Sequence, residues 1–364
     1  MQNNSLDEIV KCDIDLTQPV ANDVSFDSIL LVAPAPTGSG TETMTGTILI
    51  SKADELLDYG YTVEDAAYVA ATVAFSQDPS PSEIYVTARQ KKTKGDDPEE
   101  ITATLARAAD EASFYGIHLT SYRDAADIKA AITWTEANEK LYVFEYTDYS
   151  SCPVSNFSYN RSFGVYSGAA DGYDAGSQPP ENLYAGLALM AKCFGYDPGS
   201  ETWALKTLST IVPSRLSSSQ KKDLDEKNIT TYRRYAKTNV TFGGKTLSGE
   251  WIDVIRFRDW LKAEIQTNAF SALHANRKVP FTDPGIGLVE GGVRKALADG
   301  QTVGGIAPSE FSGDEEIPGY TVTAPLASSF SEAQRKTRRL TNIKWTARIA
   351  GAIHFANIGG TLTY

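Results

Sequence analysis

The sequence predicts an α/β fold, α+β overall, in which a helix-covered, mostly parallel sheet is followed by a C-terminal α+β region. Three observations predict it. Short apolar runs alternate with helical patterns from Phe26 to Tyr166, the arrangement expected of repeated β-α-β units. The helical stretches carry small or apolar residues on one stripe, so that they can lie on a sheet. Beyond Trp251 the pattern changes to a long amphipathic helix, a second helix and a strand-rich ending. A single hydrophobic core stops growing at about 250–300 residues, so a chain of 364 divides. The expected division is an N-terminal arm and linker at 1–22, an α/β body at 23–235, a C-terminal domain at 236–346 and a C-terminal strand arm at 347–364.

The elements follow in order. In Val10-Lys11-Cys12-Asp13-Ile14-Asp15-Leu16, apolar and charged residues alternate with period two, which describes a strand with one buried face, set apart from the body by polar flanks. Ile29–Ala33 and Thr47–Ile50 are short apolar runs, and Lys52–Tyr59 reads as a short helix. In the helix expected at Val63–Gln77, Ala66, Ala67, Ala70, Ala71 and Ala74 form a face small enough for close approach to a sheet. Strand Ile84–Ala88, helix Glu99–Ala112, strand Ile117–Ser121, helix Ala125–Glu136 and strands Leu141–Tyr146 and Phe163–Tyr166 continue the series. A helix at Leu183–Phe194, a strand at Thr202–Ile211 and a helix at Gln220–Asn228 come next. The stretch Asn239 to Leu247 reads as a hairpin turning at Gly243-Gly244. Helices at Trp251–Phe270 and Glu290–Asp299, a strand at Tyr320–Ala324 and a strand-rich stretch from Ile343 to Tyr364 complete the chain.

Composition narrows the function. Hydrophobic residues make up 41% and charged residues 22%, which supports a packed core. The formal charge of −12 argues against direct binding of nucleic acid, which rewards positive charge. No apolar run approaches the length of a membrane span, and Met1–Ile9 lacks the features of a signal peptide. Cys12, Cys152 and Cys193 are too few and too scattered for a disulfide framework.

Motifs that would carry catalysis are weak. Thr37-Gly38-Ser39-Gly40-Thr41 follows a strand, where phosphate loops sit, but leads into another strand instead of a helix. Gly244-Lys245-Thr246 matches the end of a Walker A loop, yet Asn239 stands where its first glycine belongs. His118, His274 and His354 have no ligand-spaced partners and read as ordinary polar contacts. The expectation is a protein that is not an enzyme and holds no cofactor or metal.

Two features point to assembly. Both chain ends resemble strands without partners, with Val10, Cys12, Ile14 and Leu16 at one end and Ile353, Phe355, Ile358, Leu362 and Tyr364 at the other. Arg335, Lys336, Arg338 and Arg339 form the one concentrated basic patch, either a solvated helix face or a docking surface for an acidic protein.

Four segments in this order resemble the contractile tail sheath family of bacteriophages and R-type bacteriocins, in its compact form without large inserted outer domains. They are the alternating first strand with Phe26–Val32, the helix, proline turn and strand of Ala66–Arg89, Gly249–Arg256 with Asp259-Trp260-Leu261, and the closing Gly351–Leu362. The resemblance implies a structural subunit that stacks as hexameric rings around a tail tube and contracts to drive the tube through a host envelope. It implies terminal arms that add strands to the sheets of neighbouring subunits, with the basic residues at 335–339 facing the tube. Partners would be further copies of the chain, the tail tube protein, and baseplate and tail terminator proteins, in a virion tail assembled in the host cytoplasm. The alternatives are an α/β enzyme with a nucleotide or small-molecule site, and another tail or baseplate component sharing the sheath fold.

Overall fold

The structure is a computed structural model and describes residues 25–91, 98–174 and 177–363. The expected first strand, with Val10, Cys12, Ile14 and Leu16, and Tyr364 at the other end lie outside the described residues.

One eight-stranded sheet organises the body. Its strands are β1 (Ile29–Pro34), β2 (Thr47–Ile50), β3 (Ile84–Arg89), β4 (Gly116–Leu119), β5 (Leu141–Tyr146), β6 (Ser162–Tyr166), β7 (Thr230–Tyr235) and β8 (Thr238–Phe242). They lie in the order β2-β3-β1-β4-β5-β6-β7-β8, parallel throughout except for β2 on β3 and β8 on β7. Alternation along β1 sends Ile29 and Leu31 to one face and Leu30 and Val32 to the other, all four fully buried. A parallel sheet needs cover on both faces, and helices supply it. Beside the short α1 (Glu55–Asp58), α2 (Ala66–Phe75) and α5 (Ala185–Phe194) cover the first face; α3 (Ile101–Glu111), α4 (Ala125–Ala137) and α6 (Ser218–Glu226) cover the second.

The alanine face of α2 buries Ala67, Ala70, Ala71 and Ala74 as its spacing predicts. Gly116 in β4 lets α5 approach, because a Cβ there would lie 2.6 Å from Met190 Sδ and 2.7 Å from the Phe194 ring.

Helix α7 (Ile252–His274) joins the body to a second unit. Ile252 belongs to the first core, whereas Phe257, Leu261 and Ile265 pack with Val293, Ala296 and Leu297 of α8 (Asp283–Thr302) in a core of their own. Small antiparallel pairs complete this unit: β9 (Glu310–Ser312) with β10 (Glu315–Ile317), and β11 (Tyr320–Thr323) with β12 (Lys344–Ala347), Val322 reaching the helical core. A short α9 (Glu332–Lys336) lies between β11 and β12.

Two buried clamps on α7 hold the body to this helix. Arg256, with no exposed surface, donates to the carbonyls of Phe26, Cys193 and Tyr196 and, at 2.7 Å, to Glu201 Oε1. One turn on, Asp259 accepts two bonds from Arg161, at 2.6 and 3.1 Å, and one from Tyr115 at 2.8 Å. Burial pushes the Asp259 carboxyl up, but the charge and hydrogen bonds of Arg161, the Arg258 charge and the Tyr115 hydroxyl together hold the group below its ordinary value.

Three expected elements differ. Residues 202–211 form no strand: Leu205 and Thr210 take left-handed backbone, φ 60° and 63°. The hairpin turns at Ala236-Lys237, with Tyr235 facing Thr238, so β8 returns onto β7 and the sheet runs to Phe242. Gly243 and Gly244 (φ 123° and 87°) instead pass against Thr230 and Trp203 with no room for a side chain. Finally, the strand-rich ending reduces to β12; Gly351–Thr363 pairs with no strand among the described residues.

Candidate functional site

The glycine-rich loop at 37–41 is built for packing. Gly38 N donates to Gly60 O, and a Cβ on Gly40 would come within 2.1 Å of Asp58 O, so small residues are required for loop contact. Among the described residues the adjoining cleft is lined by Glu42 and no basic side chain, an unsuitable lining for phosphate. In the Walker-like match, Gly244 N donates to Thr230 Oγ1, Thr246 Oγ1 to Glu250 O, and Lys245 Nζ lies 4.8 Å over the Trp251 ring. All three residues are engaged with their own chain.

The histidines separate. His118 on β4 is fully buried, its Nε2 2.9 Å from Glu145 Oε2, and the same carboxylate accepts from Arg123 and from Leu187 N. Burial pushes Glu145 up, and the His118 ring, the Arg123 charge and the Leu187 amide together bring it below its ordinary value. This arrangement, unannounced by sequence spacing, ties β4, β5 and α5 together. His274 stacks on Phe270, and His354 bonds Thr202 Oγ1 at 2.7 Å and meets the Trp251 ring edge-on. Among the described residues no group of three metal-binding side chains occurs, and no helix is long and apolar enough to cross a membrane.

The C-terminal segment differs in kind from these. His354 and Phe355 touch the body, Phe355 against Phe242 at 5.9 Å between ring centroids. Yet Ile353 is 86% exposed, Phe355 74%, Ile358 94% and Leu362 100%. No regular structure carries them, and Gly359 and Gly360 have open space around them. The structure therefore brings none of these four into a core.

Strands able to receive a partner also exist. β11 and β12 pair only with each other, so each has one edge with no strand beside it among the described residues. An isolated two-stranded sheet is marginal in water, and here α8 supports it through Val322 and an Arg294 bond to Val322 O. The β8 edge of the main sheet is partly closed, since Thr241 exchanges hydrogen bonds with Leu205 N and Lys206 O.

The basic patch is fully exposed. Arg335 and Lys336 end α9, which Ser331 and Gln334 cap reciprocally, and Lys336 pairs with Glu332 at 2.8 Å. Arg338 (φ 57°) and Arg339 follow in the turn beyond it. The helix start was readable from Ser331 and its third neighbour Gln334.

Residues 252–362 match the family described as E217 tail sheath protein gp31-like, C-terminal domain. The whole chain is similar in fold to a chain of the anti-feeding prophage baseplate (TM-score 0.66, 16% identity, 98% of each chain covered). It is likewise similar to the sheath complex of the extracellular contractile injection system PVC in its contracted state (TM-score 0.64, 13% identity, 99% of this chain and 95% of that one). The sheath tail protein of Listeria innocua matches at a TM-score of 0.53 and 9% identity over 82% of this chain and 88% of its own. No curated protein matches in sequence.

Proposed function

We propose that this chain, by its C-terminal region a member of the contractile tail sheath family, is the structural subunit of a contractile sheath that polymerises around a tail tube. One observation carries the reading. Ile353, Phe355, Ile358 and Leu362 lie 74–100% exposed on a segment that pairs with no strand among the described residues. Four such side chains in water are a liability unless another chain covers them. The open edges of β11 and β12 are suitable receivers, by addition of a strand from a neighbour.

The energetics favour a lattice over a tight pair. Burying four large apolar side chains contributes roughly 6–12 kcal/mol gross. Ordering about ten residues costs a similar amount, at roughly 1–2 kcal/mol each. The surplus per contact is modest, and multivalency along a sleeve makes the whole strong. In this reading Val10, Cys12, Ile14 and Leu16 form a second donor strand, Tyr364 extends the first, and Arg335, Lys336, Arg338 and Arg339 face the tube. Subunits stack as hexameric rings, and contraction is a rigid-body rearrangement with the terminal strands as tethers. Baseplate and tail terminator proteins close the two ends, in a virion tail assembled in the host cytoplasm. The role is structural, without catalysis, cofactor or direct contact with nucleic acid.

The test is removal of Gly351–Tyr364. The truncated chain is expected to melt like the full chain and to sediment as a monomer with or without tubes; sleeves of normal length from it would overturn the assignment. A second reading, a baseplate component of the same fold, draws on the similarity to a baseplate chain. It predicts closed rings of fixed size instead of open sleeves.

A further inference from the structure

At the carboxyl end of β7 a cleft of about 440 Å³ is lined in part by Asp171, Arg215, Lys221, Arg234 and Tyr235. Arg233 at its base is already committed, paired with Asp225 and lying over the Phe242 ring. Arg215, Lys221 and Arg234 are exposed; Arg215 donates to the carbonyls of Ala170 and Tyr173, and among the described residues no carboxylate pairs with any of the three. Three cations around one carboxylate, in a concave site of a chain with charge −12, focus a positive field where an acidic partner fits.

A matching protrusion stands on the second unit. β9 and β10 form a hairpin whose two-residue loop begins with Gly313 at φ 66°, as a tight primed turn requires, and all six of its strand residues are exposed. Glu310 pairs with Arg348, whereas Asp314, Glu315 and Glu316 have no cation partner among the described residues. Phe311, 73% exposed, sits directly across from Glu316, so an aromatic ring and a carboxylate share one face with nothing beneath them. A lone hairpin that buries neither face gains little stability by itself.

We propose that the hairpin Glu310–Ile317 of one copy docks into the Arg215–Lys221–Arg234 cleft of a second copy, Phe311 meeting Tyr235 and the three free carboxylates meeting the cations. The inference rests on the sheath reading and deepens it. A contact between two different patches of identical chains is heterologous and passes from copy to copy, closing into a ring or running on as a helix, so it adds to the contacts that the terminal strands make.

Charge reversal tests it on the full-length chain. E315K/E316K and K221E/R234E are each expected to raise the concentration needed for sedimenting assemblies about tenfold or more at low salt. The effect should fade near 1 M salt, where screening acts within about 3 Å. All four residues are exposed, so melting should be unchanged in either variant. The quadruple variant, with the charges exchanged, should assemble like the wild type. Reversals that assemble normally, or an exchange that restores nothing, would remove this contact while leaving the sheath reading in place. A wild-type chain that assembles under no condition, with or without tubes, would remove both.

Discussion

Replacing Arg256 by Met is expected to cost about 3–5 kcal/mol, the usual penalty for leaving one partner of a buried ion pair alone. The guanidinium and the Glu201 carboxylate are both fully buried, 2.7 Å apart, and the same guanidinium satisfies three backbone carbonyls at 2.9–3.0 Å. Methionine fills similar space and supplies none of these bonds. Against a total stability of roughly 5–15 kcal/mol, that loss is a large fraction. Urea unfolding followed by tryptophan fluorescence is the assay, because Trp203 is buried between Phe163 and Phe194 and bonded to Glu201. The companion R256M/E201Q should recover about 1–3 kcal/mol, since the buried group left behind is then neutral. It keeps an acceptor for Gly199 N, which bonds Glu201 Oε2 at 3.0 Å. A single mutant within about 1 kcal/mol of the wild type, or a double mutant less stable than the single, would refute the clamp.

Two further outcomes follow from charge. Burial and the nearby Glu201 carboxylate push Asp253 up to about 6 from 3.8, so between these values the folded chain holds a proton that the unfolded chain has released. Stability therefore falls as pH rises through that window, and Asp253→Asn should gain about 1–3 kcal/mol at pH 7 and nothing at pH 4. Equal melting shifts at both pH values would contradict this. Reversal of Arg335, Lys336, Arg338 and Arg339 to Glu should weaken co-sedimentation with tail tubes at low salt and leave melting unchanged, because the segment buries nothing. Undiminished co-sedimentation would move the tube contact elsewhere.

Elements whose signal is local were legible in the sequence. The buried strand β1 is a continuous apolar run, β3 and β5 are mostly apolar with Thr87 and Glu145 among their residues, and α2 carries small residues on the face that meets the sheet. The sheath-like stretch at 249–261 also became intelligible: Ile252, Arg256 and Asp259 share the face of α7 that meets the body. Elements fixed by distant partners misled. Thr202–Ile211 has strand-forming composition, but Trp203 is drawn into the core and Leu205 and Lys206 bond across to Thr241, giving a bent covering segment in place of a strand. Gly243-Gly244 is the loudest turn signal in its region, yet its glycines serve close approach, and the real turn at Ala236-Lys237 carries no glycine. The β9–β10 hairpin has a local signal only in its turn, Ser312-Gly313-Asp314, since its strands are too short and too polar to show a period. From Ile353 to Leu362 the expected strand finds no partner strand among the described residues, and in the proposed reading a neighbouring copy supplies it.

Negative-stain electron microscopy of the purified full-length chain across a range of concentrations, with and without tail tubes, tests the central claim most directly. The account predicts long hollow sleeves or stacked rings whose length grows with concentration or follows that of the tubes. A monodisperse monomer under every condition, including with tubes, would contradict it.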